Sequence, residues 1–261
     1  MSYVLENREE FKRLENQAKQ KDYSLAEELK YLEVDKNASV LDAGCGSGVL
    51  SRFLLDNISS DLKMSACDIS QERLEQAKEY CEKNNYQQIK FTPQNLEKLD
   101  YEANSFDTII SRYVIEHLDK PIRVLEEFKR VLKKEGQIYL IDLDGIFVNF
   151  YTANNSFNEM LNELSLHLPV DFFVGRKLAP MLQSIGLKNI QWRITTHHFR
   201  GEEFDKEYDN NKIRCELLQP HLLKIFKSQK IVDEFKYNYL NEMKNPTNTH
   251  FHNKFIVWGH K

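Results

Sequence analysis

Three glycines stand at alternate positions in the segment VLDAGCGSGVL, residues 40–50. Gly44, Gly46 and Gly48 follow a short apolar run that contains Asp42, and the whole chain has nine glycines. A strand that leads through a glycine-rich turn into a helix exposes backbone N–H groups, and glycine lets a ligand touch the main chain. This pattern predicts a site for a nucleotide-like cofactor, with Asp42 at its edge.

Two kinds of cofactor compete for such a loop. The dinucleotide fingerprint of NAD-binding proteins requires glycine at its first, third and sixth positions, and the sixth position here is Val49. The glycines fall instead at the first, third and fifth positions, with Cys45 between the first two. We therefore favour S-adenosylmethionine over NAD and include Cys45 in the predicted site.

A second acid, Asp68, follows Gly48 by twenty positions at the end of a predicted strand. A carboxylate there can accept hydrogen bonds from both ribose hydroxyls of either cofactor. The structural alternative is a helix N-cap, but Ser70 already suits that position before Gln71. We predict that Asp68, together with the adjacent Ile69, belongs to the cofactor site.

The glycine loop and the acid before it resemble the first motif of the class I S-adenosylmethionine-dependent methyltransferases. The resemblance continues over about residues 36–145, and Asn95 stands where the family usually has an aspartate that contacts the adenine amino group. An amide oxygen accepts the same hydrogen bond, and the resemblance implies that Leu96 offers its backbone N–H to the ring. The alternative for Asn95 is a turn residue.

The stretch SRYVIEHLDKP, residues 111–121, also resembles the family. Ser111 and Arg112 end a predicted strand, at the edge where open parallel sheets bind ligands, so we include both in the cofactor site. His117 is the candidate catalytic residue, because an imidazole can take a proton from a hydroxyl nucleophile. Alternatively His117 is a surface residue beside Glu116, since transfer from an activated methyl donor depends mostly on alignment.

Strands alternate with helical patterns along the chain, which is typical of a parallel sheet covered on both faces. The resemblance implies an α/β, doubly wound, Rossmann-like fold with a seven-stranded, mostly parallel sheet whose last strand is antiparallel. The predicted strands are 38–44, 63–69, 89–94, 106–113, 136–144, 188–199 and 253–259.

The segments outside the core are expected to form a helical cap over the cofactor. Connections longer than about 12–15 residues usually have a function, and the antiparallel last strand makes the long connection emerge on the side of the glycine loop. Most aromatic residues in the cap should be core, and a minority should touch the substrate. The predicted divisions are a helical segment at 1–35, the S-adenosylmethionine-binding core at 36–145, a helical insertion and closing helix at 146–187, and the last two strands at 188–261 with a cap insertion at 200–252.

Composition excludes several classes of protein. A net charge of −4, with acids and bases mixed along the chain, gives no footprint for nucleic acid. The charged N-terminal residues do not resemble a secretory signal and no window suits a membrane span, so we expect a cytoplasmic protein without a membrane partner. We expect no metal site and interpret the histidines near the rim of the cap as surface residues: His197, His198, His250 and His252.

The sequence thus predicts an S-adenosylmethionine-dependent methyltransferase that moves a methyl group to an O, N or C nucleophile of a small or medium organic molecule. Two alternatives remain open, a catalytically silent S-adenosylmethionine-binding subunit and an NAD-dependent oxidoreductase. Fold and cofactor alone do not establish chemistry. No pattern in the sequence fixes an oligomeric state.

Overall fold

The computed structural model describes residues 10–198 and 202–261, which contain ten α-helices and eight β-strands. The helices are α1 (Glu10–Gln17), α2 (Leu25–Glu28), α3 (Val49–Asn57), α4 (Gln71–Lys83), α5 (Pro121–Val131), α6 (Asn155–His167), α7 (Leu178–Ser184), α8 (Glu202–Leu217), α9 (Gln219–Phe226) and α10 (Gln229–Lys244). The strands are β1 (Ser39–Ala43), β2 (Lys63–Asp68), β3 (Lys90–Pro93), β4 (Phe106–Arg112), β5 (Leu132–Asp144), β6 (Phe150–Tyr151), β7 (Lys188–His198) and β8 (Thr249–His260). Short 3₁₀ turns occupy Lys21–Tyr23, Ile115–His117 and Gly175–Lys177.

The strands form one sheet in the order β3-β2-β1-β4-β5-β8, with β7 on the outer side of β8. Strands β1 to β5 are parallel, and β8 runs antiparallel to both β5 and β7. The two-residue β6, which was not expected from the sequence, pairs with the start of β8. The predicted doubly wound fold with an antiparallel last strand is confirmed.

Helices cover both faces of the sheet because its central strands are apolar on both sides. One cluster packs Phe128 of α5 and Leu182 of α7 against the sheet, and the other packs Leu54 of α3 and Leu74 of α4. Two expected helix starts are confirmed. The Ser70 hydroxyl accepts a hydrogen bond from a backbone N–H of the first turn of α4, and Pro121 is the first residue of α5.

A third apolar cluster lies outside the sheet and forms the interior of the cap. It joins Phe147 and Phe157, which follow β5, to Phe235 and Tyr239 of α10. The rings of Phe147 and Tyr239 stack with centroids 4.2 Å apart. The two cap segments, far apart in sequence, therefore share one core.

The N-terminal segment that was predicted as helical at 1–35 is not one continuous helix in its described part. The described part contains α1, a 3₁₀ turn and α2, separated by short links. The start of the predicted segment, residues 1–9, and the first two positions of the predicted insertion at 200–252 lie outside the described residues. The division of the chain into domains stays a prediction.

Buried polar groups and thiols also bear on the sequence predictions. His252 is 1% exposed and its ring centroid lies 5.3 Å from that of His197, so the interpretation of His252 as a surface residue was wrong. Within the described ranges, no three His, Cys, Asp or Glu side chains are grouped as metal ligands would be.

All four cysteines are buried free thiols. None of the described helices is both long and apolar enough to cross a bilayer.

Candidate cofactor and acceptor site

The glycine loop connects β1 to α3 in a conformation that requires glycine. Gly44 has φ +79° and Gly46 has φ +54°, in the left-handed region that disfavours a Cβ atom. A Cβ at Gly44 would lie 2.4 Å from the side chain of Val114, and one at Gly46 would lie 2.9 Å from that of Leu14. The loop is thus enclosed by the turn after β4 on one side and by α1 on the other.

A cavity of about 290 Å³ opens beside this loop at the carboxyl ends of the parallel strands. This is the edge where ligands bind in open α/β sheets. Ten of the predicted site residues line the cavity: Asp42, Gly44, Cys45, Gly46, Asp68, Ile69, Asn95, Leu96, Arg112 and His117.

Gly48 and Ser111, the other two predicted site residues, do not line the cavity. Gly48 precedes the first residue of α3 with φ +73°, and a Cβ there would lie 3.1 Å from the ring of Phe91. The buried Ser111 hydroxyl donates to the carbonyl oxygen of Ala43 at 3.0 Å. Ser111 thus joins the end of β4 to the end of β1, and the cofactor contacts of both residues stay predictions.

Asp68 is oriented by backbone groups before any ligand binds. Its Oδ2 accepts from the Gly46 N–H and its Oδ1 from the Ser70 N–H, each at 3.0 Å. Arg73 lies further away, with Nη1 3.4 Å from each carboxylate oxygen. Each carboxylate oxygen thus accepts one short hydrogen bond from the backbone and one long one from Arg73.

Asp42 lies at the base of the cavity as a buried carboxyl group. It accepts a hydrogen bond from the Ser51 hydroxyl at 2.7 Å. Burial raises the pKa of Asp42 to about 6, although the Ser51 hydrogen bond and the charge of Arg112 oppose the change.

Asn95, Leu96 and Ile69 form the side of the cavity beyond β2 and β3. The Asn95 Oδ1 accepts from the Glu97 N–H at 2.9 Å, which supports the turn interpretation and leaves the second lone pair for a ligand. Ile69 is 57% exposed and follows the buried Asp68.

Arg112 reaches the cavity from the end of β4 and is held by a buried ion-pair cluster. Its Nε donates to Oε2 of Glu28 at 2.6 Å, and Lys254 Nζ lies 2.6 Å from the other Glu28 oxygen. Burial alone would raise the pKa of Glu28, but Arg112 and Lys254 outweigh it and lower the pKa. Tyr113, with φ +58°, completes the cluster by donating its hydroxyl to Glu28.

His117 and Glu116 face the cavity together from the 3₁₀ turn after β4. His117 Nε2 lies 3.3 Å from Glu116 Oε1. Asp142 lies behind them and accepts from the Glu116 N–H at 3.3 Å. Burial, and then the charge of Glu116, raise the pKa of Asp142 well above its ordinary value.

Several cavity residues were missed by the sequence reasoning. They come from α1, from the segments around α6, from α8 and from the residue that follows α8: Arg13, Leu14, Gln17, Ile146, Leu168, Pro169, Val170, Arg214 and Leu218. The aromatic residues Phe147 and Phe172 also line it, which fits the expected minority of cap aromatics. An amphipathic pattern marks such helices, but it does not tell which buried face meets a ligand and which meets the core.

A family model described as "Methyltransferase domain" matches residues 34–183. The chain belongs to this family. The methyltransferase is 28% identical over 188 residues to the ubiquinone biosynthesis O-methyltransferase of Coxiella burnetii, a match that covers 69% of the chain and 78% of that protein. It is also 28% identical over 116 residues to the demethylmenaquinone methyltransferase of Listeria welshimeri, covering 44% of the chain and 49% of that protein.

Solved structures show the same fold for this methyltransferase. The phosphoethanolamine N-methyltransferase 2 of Haemonchus contortus, in complex with S-adenosylmethionine, matches with a TM-score of 0.61 and 17% identity over 92% of this chain and 53% of that one. An S-adenosylmethionine-dependent methyltransferase of Aquifex aeolicus gives a TM-score of 0.56 and 19% identity over 75% of this chain and 93% of that one.

The predicted family, fold class, enzyme activity and cofactor are thereby confirmed. The chain is an S-adenosylmethionine-dependent methyltransferase, and both the silent-subunit and the NAD-dependent alternatives are set aside. The cavity fits the cofactor, since it combines a loop without side chains at Gly44 and Gly46 with the oriented carboxylate of Asp68. When bound, the cofactor supplies a methyl group on a positively charged sulfonium.

Proposed function

We propose that this enzyme methylates a hydroxyl group on a small aromatic molecule that binds under the cap. The observation that carries the proposal is the pairing of His117 with Glu116 in the wall of the cavity that also contains the glycine loop. The Coxiella relative is named an O-methyltransferase of ubiquinone biosynthesis, and a ring hydroxyl is the nucleophile of such an O-methylation. The Listeria relative is named a demethylmenaquinone methyltransferase, which supports a small cyclic acceptor but does not name the methylated atom.

The proposed binding roles follow from the same cavity. Asp68 holds the ribose hydroxyls, the backbone of Gly44 to Gly46 lies against the amino-acid part of the cofactor, and Ile69 and Leu96 cover the adenine ring. The contacts that support these roles are the fixed Asp68 carboxylate and the exposed side chain of Ile69.

The proposed proton transfer uses His117. The ring hydroxyl gives its proton to the imidazole as the new O–C bond forms and the C–S bond breaks, and the carboxylate of Glu116 stabilises the imidazolium that results. The proton then passes to water, leaving a methyl ether and the demethylated cofactor. Because positive charge on the sulfonium is lost in the transition state, a largely apolar wall helps the reaction.

The acceptor wall consists of side chains that suit an aromatic ring. Leu143 lies at the end of β5, Ile146 and Phe147 follow that strand, and Leu218 comes from the cap. We propose a small molecule instead of nucleic acid, in keeping with the net charge of −4. We also propose a cytoplasmic location, because the four buried free thiols suit a reducing compartment.

The test replaces His117 by Gln and follows methyl transfer to catechol. We expect kcat to fall by about 10²- to 10⁴-fold, the usual contribution of a general base, while affinity for S-adenosylhomocysteine stays within about twofold. His198→Gln, at an exposed position on β7, is the matched control and should retain full activity. An unchanged kcat in the His117 variant would show that alignment alone suffices.

A further inference from the structure

Arg214 of α8 is a buried cation in the wall of the acceptor side of the cavity. One turn later in the same chain, Leu218 also lines the cavity and packs in the same apolar cluster as Phe147. This part of the wall belongs to the cap, whereas the glycine loop and Asp68 belong to the sheet. A cation here is not required by the methyl transfer itself, so another reason for its burial is needed.

The guanidinium of Arg214 is fixed on one side by protein groups. Nη1 donates to Glu207 Oε1 at 2.6 Å and to Asn211 Oδ1 at 3.3 Å. Asn211 in turn donates to the same Glu207 oxygen at 2.9 Å, so the carboxylate that holds the arginine is itself held. Such a network orients the guanidinium before any ligand binds.

The other side of the guanidinium is less occupied. Nη2 donates to the Tyr23 hydroxyl at 3.3 Å, and no described residue accepts a hydrogen bond from Nε. The Nε and Nη2 N–H groups lie on one edge of the planar group, in the arrangement that binds both oxygens of a carboxylate. A buried cation favours an anionic ligand at an edge where Nε has no acceptor among the described residues and Nη2 makes one long hydrogen bond, to Tyr23.

We propose that Arg214 binds a carboxylate carried by the methyl acceptor and so selects anionic over neutral acceptors. This inference rests on the proposed hydroxyl methylation, and it names the class of acceptor as a hydroxylated aromatic acid. The cofactor also carries a carboxylate, so the experiment separates the two sources of the same chemistry.

The structural alternative is that Arg214 joins the N-terminal segment to the cap through Tyr23. In that case the removal of the Arg214 side chain would destabilise the protein and would weaken the binding of all ligands by the same factor. The charge of the acceptor would then make no difference. A comparison of two acceptors that differ in charge alone therefore distinguishes the two roles.

The experiment measures calorimetric binding of 3,4-dihydroxybenzoate and of 3,4-dihydroxybenzamide to the enzyme saturated with S-adenosylhomocysteine. The wild type should bind the benzoate at least about tenfold more tightly, as expected for hydrogen bonds to a charged group. Arg214→Gln should bring the two affinities within about twofold of each other. The double variant Glu207→Gln/Arg214→Gln leaves no unpaired buried carboxylate, so it should be more stable than Arg214→Gln. It should also bring the two affinities within about twofold of each other. Lys212→Gln, exposed on the same helix, should keep the wild-type preference.

Three outcomes would overturn the proposal. The first is that the wild type binds the two probes with equal affinity. The second is that the variants lose affinity for both probes by the same factor. The third is weaker S-adenosylhomocysteine binding with an unchanged probe preference, which would assign Arg214 to the cofactor. Since binding is measured without turnover, a failure of hydroxyl methylation appears separately, as probes that bind but receive no methyl group.

Discussion

The backbone N–H of Gly46 donates to Oδ2 of Asp68 at 3.0 Å, although 22 positions separate the two residues in sequence. The bond joins the turn after β1 to the end of β2. Two sequence signals that were interpreted separately are therefore parts of one preformed site. A substitution at Gly46 or at Asp68 therefore also affects the other residue, because it changes this hydrogen bond.

Asp68→Asn should weaken binding of S-adenosylhomocysteine by about tenfold to hundredfold. The amide keeps one acceptor but loses the charge, and a hydrogen bond to a charged group contributes about 1.5–3 kcal/mol. Isothermal titration measures the affinity. Asp107→Asn removes an acid from the opposite end of β4, where it pairs with Lys133, and should leave the affinity unchanged. Equal affinities in both variants would remove Asp68 from the cofactor site.

Gly46→Val should abolish cofactor binding while the sheet remains folded. The residue has φ +54°, and a Cβ atom would approach Leu14 to 2.9 Å at the edge of the cavity. Gly186→Val is the matched control, because Gly186 has φ +76° but lies in the turn between α7 and β7. Both variants should lose stability through backbone strain. Circular dichroism and titration should show loss of binding in the first variant alone.

Asp42→Asn should stabilise the enzyme at pH 7 but not at pH 4. The folded-state pKa of Asp42 is about 6 against an ordinary value of 3.8, so ionisation of the folded protein costs stability as pH rises through this interval. Removing the ionisable group should therefore raise the free energy of unfolding by up to about 3 kcal/mol at neutral pH. Urea unfolding of both proteins at pH 4 and pH 7 measures the difference. A gain that is equal at both pH values would contradict this account.

Glu28→Gln should destabilise the protein by about 3–5 kcal/mol, because the buried cations Arg112 and Lys254 lose their shared carboxylate. Glu27→Gln is the matched control, since Glu27 pairs on the surface with Lys30 and such pairs contribute at most about 1 kcal/mol. Urea unfolding at pH 7 compares them.

The same pair of variants gives a test of pH dependence. The folded-state pKa of Glu28 is lowered, so its contribution is fully present above its ordinary value near 4.5 and is lost as pH falls through the folded-state pKa. The difference between wild type and Glu28→Gln should therefore shrink in acid. A difference that grows as pH falls would show that the cluster does not stabilise ionised Glu28.

Local signals in the sequence were sufficient for the sheet and for bringing most of the predicted site residues to one cavity. Glycine spacing, the acid at the end of β2 and alternating strands and helices are all encoded within short segments, and parallel strands bring their carboxyl ends to one edge. The placement of Asp68 beside Gly46 followed from this rule. The rule does not resolve single residues, and it included Ser111, whose side chain points into the strand contacts instead of the cavity.

The acceptor side was decided by tertiary structure. Glu28 meets Arg112 across 84 positions, and Arg214 meets Tyr23 across 191. Neither contact has a local pattern, because a buried charge requires a partner in space and the sequence does not specify which distant charge that is. The sequence by itself was sufficient to predict which cofactor binds. Only the packing of the cap and the N-terminal segment against the sheet decided which side chains would line the rest of the cavity, where we propose that the methyl acceptor binds.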